Sequence, residues 1–365
     1  MSGSTLPIVK VRMPPADRLM PRLAEVLYSG MLAEGEYVYE FERRFAEHFG
    51  LPNVLGFSSG TGALHVALLS CGIRAGDEVI TTSMTAEPTN TTVLQVGATP
   101  IFADVSPDDG NLDPAAVESS ITPRTRAILV VHYAGYPAPV AALREIADRH
   151  GIALIEDCAH ALGARYADQA IGTFGDAAIF SFQAIKHMTT VDGGALVLRD
   201  PERMREARKL RWFGLEKGVP RTAVDITQAG FKYNMTNVAG LIGLLQLDDI
   251  DEAIGRHKAN GRFFDDELAT TPGLSVVPIS PESMPSYWIY TLLSDDSDDV
   301  ERILAGIGVA ASKLHRPNHL HSVFAPYRRS MPGLETFYRR LVHIPCGWWI
   351  GDDDRANIVH ALRRG

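Results

Sequence analysis

Residues 127–157 read AILVVHYAGYPAPVAALREIADRHGIALIED, with a short apolar run at each end and a helix-length segment between them. The two runs, 127–132 and 152–157, are rich in Val, Ile and Leu and are typical of buried strands. Residues 140–150 have the length and composition of a helix. A strand, a helix and a second strand in this order favour a parallel pair of strands joined by a crossover helix.

The same alternation extends from about residue 55 to residue 200. It predicts an α/β fold, with a largely parallel sheet covered by helices on both faces. Ligands of such sheets bind beyond the carboxyl ends of the strands, so His132, Asp157 and residues 181–186 become candidates for chemistry. The predicted strands are 78–81, 100–105, 127–132, 152–157, 178–182 and 195–198, and the predicted helices are 61–71, 87–96, 113–120 and 140–150.

The composition pattern changes near residue 250. Residues 251–268 predict a long polar helix, Pro-containing segments follow it, and a short terminal helix is expected at 353–362. We therefore expect a large domain over residues 1–250 and a smaller C-terminal domain over residues 251–365.

The overall composition is that of a water-soluble enzyme. The formal net charge is -9 and no block of Lys or Arg stands out, so nucleic-acid binding is not expected. No apolar run approaches the roughly 20 residues that span a bilayer, and the first residues contain no signal-peptide core, so we expect a cytoplasmic protein. The three cysteines, Cys71, Cys158 and Cys346, form no CxxC pair, and neither a disulfide framework nor a metal site is expected.

A turn of small residues, Ser-Ser-Gly-Thr-Gly-Ala-Leu at 58–64, leads into an apolar helix. Glycine permits close approach of the backbone, and a helix N-terminus offers free N–H groups to an anion, which suits a phosphate. A plain capped helix start explains the turn equally well. The turn is not a P-loop, because no Lys follows its second Gly.

Two successive acids, Glu156 and Asp157, end the strand at 152–157. Neighbouring residues of a strand point to opposite faces, so only one of the two can address a given site. Such an acid is usually a helix cap or an ion-pair partner. The functional alternative is a carboxylate that keeps a heterocyclic nitrogen protonated, as pyridoxal phosphate (PLP) requires.

Lys186 follows another predicted strand in the stretch FSFQAIKH, residues 180–187. Most lysines lie on the protein surface, so an exposed side chain is the first expectation for Lys186. A lysine that forms a Schiff base needs a partly desolvated position that lowers its pKa, and the apolar neighbours of Lys186 allow this. The adjacent His187 is interpreted as structural, because no second ligand stands at metal-binding spacing.

In this order and spacing, these segments resemble the DegT/DnrJ/EryC1/StrS family of PLP-dependent sugar aminotransferases. Each segment alone is weak evidence, whereas the whole series is specific and covers nearly the entire chain. The segments that carry the resemblance are SSGTGALHVAL, GDEVITT, GATPIFADV, IEDCAHALGA, GTFGDAAIFSFQAIKHMTTVDGGAL and GFKYNMTNVAGLIGLLQL.

The resemblance implies an aspartate-aminotransferase-like fold (PLP fold type I), with a mostly parallel central sheet and a smaller C-terminal α+β domain. It implies that Lys186 holds the cofactor as a Schiff base and later moves a proton, while Asp157 pairs with the pyridinium nitrogen. His160 stands where the family often has Gln, near the ring oxygen of the cofactor. The implied phosphate contacts are Gly60, Thr61, Gly62 and Ser181.

The chain departs from the family at two places. Ala86 occupies the position of the aromatic residue that commonly stacks on the cofactor ring. Lys232 and Asn234 replace the Asn and Arg of the family's Asn-Tyr-Arg segment, and we expect Lys232 to contact the phosphate bound by the neighbouring subunit. The loop where the family approaches its substrate contains His315, Arg316 and Asn318, which are the predicted substrate contacts.

The implied reaction transfers an amino group, usually from glutamate, to a keto group of a nucleotide-linked deoxy sugar. A PLP-dependent sugar dehydratase of the same fold is the nearest alternative, although its known members carry His where this chain has Lys186. A regulatory protein that binds PLP without turnover is the other alternative. The resemblance also implies a homodimer whose active sites are shared between subunits.

Overall fold

The computed structural model describes residues 5–364. Within them, the chain forms twelve α-helices and thirteen strands. The helices are α1 (Ala16–Tyr28), α2 (Glu36–Phe49), α3 (Gly60–Ser70), α4 (Glu87–Gln95), α5 (Pro114–Ser119), α6 (Val140–His150), α7 (Pro201–Arg211), α8 (Asn237–Leu247), α9 (Ile250–Leu268), α10 (Ser297–Gly306), α11 (Pro332–Arg340) and α12 (Asp352–Arg364). The strands are β1 (Val54–Phe57), β2 (Glu78–Thr82), β3 (Thr99–Ala103), β4 (Thr125–Val131), β5 (Ala153–Asp157), β6 (Arg165–Tyr166), β7 (Gln169–Ala170), β8 (Ala177–Ser181), β9 (Gly194–Leu198), β10 (Leu274–Val276), β11 (Ser283–Met284), β12 (Tyr290–Ser294) and β13 (Leu341–Ile344).

The centre of the molecule is a seven-stranded sheet in the order β1-β9-β8-β5-β4-β2-β3. Strands β3, β2, β4, β5 and β8 pair in parallel, and β9 runs antiparallel to both of its neighbours. The predicted α/β fold is therefore confirmed. All the predicted strands and helices of the region 55–200 are present, within one or two residues of the predicted ends.

Both faces of the sheet are buried, which explains why its strands are apolar throughout. Along β4, Ile128 and Val130 pack into the core on one side, while Ala127 and Leu129 pack into the core on the other. Helices α2, α6 and α8 contribute to the first core, and α3 and α7 contribute to the second. A strand covered on both faces shows no alternation of polar and apolar residues.

The chain after α8 builds a second, smaller sheet in the antiparallel order β10-β12-β13. It packs with helices α9 to α12 in a core that also includes Met84, Phe102 and Tyr133 of the preceding region. The predicted helices 251–268 and 353–362 correspond to α9 and α12. Strand β11 leaves this region and pairs with β6. The division into domains 1–250 and 251–365 stays a prediction. No helix among residues 5–364 has the length and apolar character needed to cross a membrane.

A segment from the C-terminal region, residues 286–289, packs against the end of β4. The Ser286 amide donates to the Gly135 carbonyl at 2.9 Å, and the Ile289 amide donates to the Ala134 carbonyl at 3.5 Å. Gly135 has a φ of +96°, and a Cβ at this position would lie 2.6 Å from the backbone nitrogen of Trp288. Glycine is therefore required for this close approach, which brings Trp288 to the carboxyl edge of the large sheet.

The carboxylate of Glu156 accepts hydrogen bonds from four donors inside the protein. The backbone amides of Gly172, Phe174 and Gly175 donate at 3.0, 2.8 and 2.6 Å, and His132 Nε2 donates at 3.2 Å. The Ala138 amide donates to His132 Nδ1, which leaves the ring proton on Nε2. Glu156 and His132 lie in a buried cluster with Cys158, and the hydrogen bonds described above explain why the carboxylate and the imidazole lie together.

We predict that Glu156→Gln destabilises the protein by about 3 kcal/mol, because the introduced amide N–H group would face backbone donors in a buried position. Urea unfolding, followed by circular dichroism, measures the change. The matched control is Glu145→Gln on the exposed surface of α6, for which we expect a change within about 0.5 kcal/mol. Equal unfolding midpoints for the two variants would contradict the role assigned to Glu156.

Candidate active site

The carboxyl ends of β4, β5 and β8 open onto a cavity of about 360 Å³. Its wall also includes the N-terminus of α3 and the residues around the start of α4. Seven of the predicted site residues line this cavity: Gly60, Thr61, Asp157, His160, Ser181, Lys186 and His315.

Lys186 enters the cavity from the turn that follows β8. Its backbone amide donates to the Gln183 carbonyl at 3.0 Å, which closes this turn. Burial lowers the pKa of the Lys186 amine to about 7, while the nearby Asp157 carboxylate opposes this shift. A pKa near 7 leaves a large fraction of the amine unprotonated and nucleophilic at neutral pH.

Asp157, the last residue of β5, is 4% exposed and faces the cavity. Thr89 Oγ1 donates to Asp157 Oδ2 at 2.9 Å, and the Ala159 amide donates to Oδ1 at 3.1 Å. Burial raises the pKa of the Asp157 carboxyl, and these two hydrogen bonds oppose that rise. A cationic ring nitrogen beside Asp157 would stabilise its ionised form further. Thr89 was not among the predicted site residues, although it lies only three residues after Ala86.

The N-terminus of α3 meets β8 at one end of the cavity. Ser59 caps the helix, and its Oγ accepts from the Gly62 amide at 3.0 Å. The amides of Gly60 and Thr61 belong to the first helical turn and have no acceptor within the helix. A Cβ on Gly60 would lie 3.0 Å from Ser181 Cβ, so glycine keeps this corner open. The corner offers N–H and hydroxyl donors to a phosphate, whereas Gly62 does not line the cavity.

His160 and His315 lie beside the cavity as two nearly parallel rings, with centroids 5.6 Å apart and an interplanar angle of 6°. Burial lowers the pKa of both rings, that of His315 to about 4, so both are neutral at pH 7. His160 Nδ1 and His315 Nε2 are buried and find no hydrogen-bond partner among the described residues. Unsatisfied buried nitrogens are rare, and here they point to a polar ligand.

Trp288 packs against the lysine and is a residue that the sequence did not suggest. Lys186 Nζ lies 3.9 Å from the centre of its ring, and the ring stacks on His160 with centroids 4.0 Å apart. Trp288 Nε1 donates to the Ile185 carbonyl at 2.8 Å. The Trp288 side chain thus contacts Lys186, Ile185 and His160. Because Trp288 is far from Lys186 in sequence, no local sequence pattern could reveal this contact.

Ala86 lies in the cavity wall, as the sequence predicts. It precedes α4, and its methyl group offers no ring to a cofactor. The aromatic rings that line the cavity are instead those of His160 and His315, and Trp288 stacks on His160.

Asn318 is not among the residues that line the cavity, and the contact expected between Asn318 and substrate stays a prediction. The side chain is fully buried; its Oδ1 accepts from Asn90 Nδ2 at 2.9 Å and its Nδ2 donates to the Thr85 carbonyl at 2.8 Å. Both ends of the amide are therefore used to fasten the loop to the cavity wall. Arg316 is exposed outside the cavity, while His315 lines it.

Lys232 is exposed and lies outside the cavity of its own chain. Its Nζ donates to Asn234 Oδ1 and lies 4.0 Å from the centre of the Trp212 ring. The contact expected between Lys232 and the phosphate of a neighbouring subunit stays a prediction.

These residues fit PLP. The α3 corner can hold its phosphate, the Asp157 carboxylate can hold its ring nitrogen protonated, and the Lys186 amine can bond to its aldehyde carbon. The unsatisfied nitrogen of His160 offers a hydrogen-bonding group to a polar substituent of the ring.

The comparison with known proteins agrees with this assignment. The model of the DegT/DnrJ/EryC1/StrS aminotransferase family matches residues 16–363. The chain belongs to this family. It is accordingly an enzyme, a PLP-dependent aminotransferase of fold type I, as the resemblance implied.

Individual relatives match along almost their whole length. The spore coat polysaccharide biosynthesis protein SpsC of Bacillus subtilis is 30% identical over 359 residues, which cover 93% of this chain and 92% of that protein. AtS13 from Actinomadura melliaura is 37% identical in sequence to this chain, and its crystal structure superposes with a TM-score of 0.96 and full coverage of both chains. The sugar aminotransferase CalS13 from Micromonospora echinospora is 36% identical with a TM-score of 0.95, covering 99% of this chain and 100% of CalS13.

In the cofactor-free protein, we predict that acetylation of Lys186 rises with a midpoint near pH 7, because burial lowers the pKa of its amine to about 7. Mass spectrometry after brief treatment with acetic anhydride at a series of pH values gives the midpoint. Asp157→Asn should move the midpoint to lower pH, because the carboxylate stabilises the protonated amine. A midpoint near 10, or a shift to higher pH in Asp157→Asn, would contradict this account.

The same assay tests the contact with Trp288. A buried cation on an aromatic face gains about 2 kcal/mol, so Trp288→Leu should lower the midpoint by about 1.5 pH units. Trp288→Phe retains a ring and is the matched control, with a smaller shift. Equal midpoints in Trp288→Leu and the unaltered protein would exclude an effect of the indole on the amine.

Proposed function

We propose that the enzyme transfers an amino group, from glutamate, to a keto group of a nucleotide-linked deoxy sugar through a Schiff base at Lys186. The observation that carries this proposal is the convergence of a buried amine and a buried carboxylate, those of Lys186 and Asp157, in one cavity. Bound PLP supplies the electron sink that lets the bond to the transferred amino group be made and broken.

Each residue of the cavity has a proposed role that follows from its position. The amides of Gly60 and Thr61 and the hydroxyl of Ser181 anchor the phosphate and so fix the cofactor in the cavity. Asp157 keeps the proton on the ring nitrogen, and Thr89 and the Ala159 amide hold this carboxylate in place. Lys186 Nζ would move a proton between the reacting carbon of each substrate and that of the cofactor, for which a pKa near 7 is well matched.

The nature of the relatives supports a sugar as the amino acceptor. CalS13 is described as a sugar aminotransferase, and SpsC is named for polysaccharide biosynthesis. The nucleotide linkage and glutamate as donor rest on the resemblance to the family. In the cavity, His315 is the remaining predicted substrate contact, and its unsatisfied Nε2 is available to a sugar hydroxyl.

A PLP-dependent dehydratase is a weaker proposal, because it would use a histidine at the place of Lys186. His187 does not take over that role, since its Nε2 donates to the Ser286 carbonyl at 3.1 Å and its ring packs against His257. A binding protein without turnover is also weaker, because the amine, the carboxylate and the phosphate corner are all present in one cavity.

We further propose a homodimer with shared active sites, in the cytoplasm. Large apolar side chains are exposed on and after α1 and on the segment that leads to Lys232. Tyr28 is 89% exposed, and a monomer would leave this surface in water. The exposed residues in these two regions are Met20, Leu27, Tyr28, Met31, Leu32, Phe213, Val219 and Ile226.

The purified protein reconstituted with PLP should absorb in the visible range and lose that band when glutamate is added, and a keto-sugar nucleotide should restore the band. A panel of such nucleotides identifies the acceptor. Lys186→Ala should abolish turnover, while Lys258→Ala, which removes another partly buried amine, should retain it. Full turnover in Lys186→Ala would refute the mechanism, and a band unmoved by glutamate and other amino donors would favour mere binding.

Lys232→Ala should weaken PLP binding about tenfold, because a charge-assisted contact to the partner's phosphate is lost. Titration of the cofactor-free dimer with PLP measures the affinity. Lys10→Ala is the matched control, since Lys10 also lies on a tryptophan ring, 5.4 Å from the centre of Trp348. An affinity unchanged in Lys232→Ala would show that this lysine does not reach the phosphate.

A further inference from the structure

Glu87 contributes to the cavity a carboxylate that neither holds the cofactor nor moves a proton in the proposed mechanism. The residue lines the cavity, and its side chain is 48% exposed. Within residues 5–364, the one basic nitrogen within 4 Å of the carboxylate is His321 Nε2, at 3.7 Å from Oε1, which is too far for a hydrogen bond. Both oxygens of Glu87 are therefore free to accept hydrogen bonds from a ligand.

The backbone of Glu87 is fixed by the start of a helix. Glu87 is the first residue of α4, and Pro88 follows it in the first turn, where proline suits the backbone and an acid suits the helix dipole. One residue further on, Thr89 Oγ1 donates to Asp157 Oδ2 at 2.9 Å. The same helical turn thus supports the Asp157 carboxylate and sets the place of Glu87 beside it.

The Glu87 carboxylate acts on a histidine of the same cavity. Burial lowers the pKa of His315 to about 4, and the negative charge of Glu87 opposes this shift. His315 lines the cavity, and its buried Nε2 has no hydrogen-bond partner among the described residues. A ligand that enters the cavity therefore meets a carboxylate and an imidazole nitrogen that both lack partners.

The chemistry of these two groups favours hydroxyls as the ligand. The Glu87 carboxylate only accepts hydrogen bonds, whereas His315 Nε2 donates or accepts according to the tautomer of the ring. Two neighbouring hydroxyls, each of which can donate and accept, satisfy both groups in either tautomer. An ammonium group only donates, so it cannot bond to an imidazole nitrogen that carries a proton. A phosphate or a carboxylate would be repelled by Glu87.

We infer that Glu87 selects the amino acceptor by accepting hydrogen bonds from hydroxyls of its sugar ring, an inference that rests on the proposed function. Hydrogen bonds to a carboxylate are charge-assisted and short. When the hydroxyl is missing, the enclosed carboxylate loses its contact with water and gains no partner, so the deoxy analogue is rejected. The acceptor is then a keto sugar that keeps a hydroxyl on the part of the ring that enters the cavity.

The test compares the nucleotide-linked keto sugar that restores the cofactor band fastest with analogues that each lack one ring hydroxyl. Glu87→Gln should lower kcat/KM for the complete acceptor about tenfold, mainly through KM, because the contact forms before the reaction. For one of the analogues, Glu87→Gln and the unaltered enzyme should agree within about twofold, because the hydroxyl that the carboxylate binds is absent. Equal kinetics of the two enzymes with every acceptor, or the same loss with every analogue, would overturn the inference.

His321→Asn separates this contact from a structural role of Glu87. The variant removes the basic nitrogen nearest to the carboxylate and leaves the carboxylate in place. Its kcat/KM for the complete acceptor should stay within about twofold of that of the unaltered enzyme. Glu335→Gln, on the exposed surface of α11, is the matched control for the change of charge and should behave in the same way. A loss in His321→Asn as large as that in Glu87→Gln would refute the inference, because Glu87 would then act by fixing the loop.

The reaction with glutamate alone distinguishes the failure of the inference from that of the proposed function. Glu87→Gln should not weaken the bleaching of the cofactor band by glutamate. A weakened reaction with glutamate beside normal kinetics with the acceptor would assign Glu87 to the donor and refute the inference alone. If no keto sugar restores the band of the unaltered enzyme, the proposed function fails, and the assignment of Glu87 to a sugar fails with it.

Discussion

The site depends on how one buried carboxylate, that of Glu156, is satisfied. Glu156 and Asp157 are neighbours at the end of β5, and the strand directs them to opposite faces of the sheet. On its face of the sheet, Glu156 accepts hydrogen bonds from three backbone amides and from His132. A rotation of the end of β5 would leave this buried carboxylate without hydrogen-bond donors. Asp157 is thereby fixed on the other face, toward the cavity. The two adjacent acids therefore differ in their surroundings: Glu156 is held by the backbone, and Asp157 faces the cavity.

The cavity joins parts of the chain that are far apart in sequence. The phosphate corner comes from α3, the acid from β5, the lysine from the turn after β8, and Trp288 from the C-terminal region. Trp288 contacts the lysine amine, the Ile185 carbonyl and His160, and His315 lines the cavity, so the C-terminal region contributes to a site built on the large sheet. The lowered pKa of Lys186 is a property of this enclosure, because burial is its main cause.

The charges inside the cavity are few. Asp157 and two histidines that are neutral at pH 7 lie near the Lys186 amine, which suits an uncharged keto group and a protonated ring nitrogen.

The sequence by itself determined the parallel sheet, the positions of its strands and the edge where chemistry occurs, because short apolar runs alternating with helices leave few other arrangements. It also made Lys186, Asp157 and the α3 corner candidates, since they lie at or after strand ends or begin a helix, and the structure brings all three to one cavity. It placed Asn318 among the substrate contacts, whereas the amide of Asn318 bonds to Asn90 and to the Thr85 carbonyl in this structure, and it did not suggest Thr89 or Trp288. A polar loop residue looks the same in sequence whether its amide faces a ligand or fastens the loop. Only the tertiary structure decided these roles, because they depend on contacts between segments that local patterns do not encode.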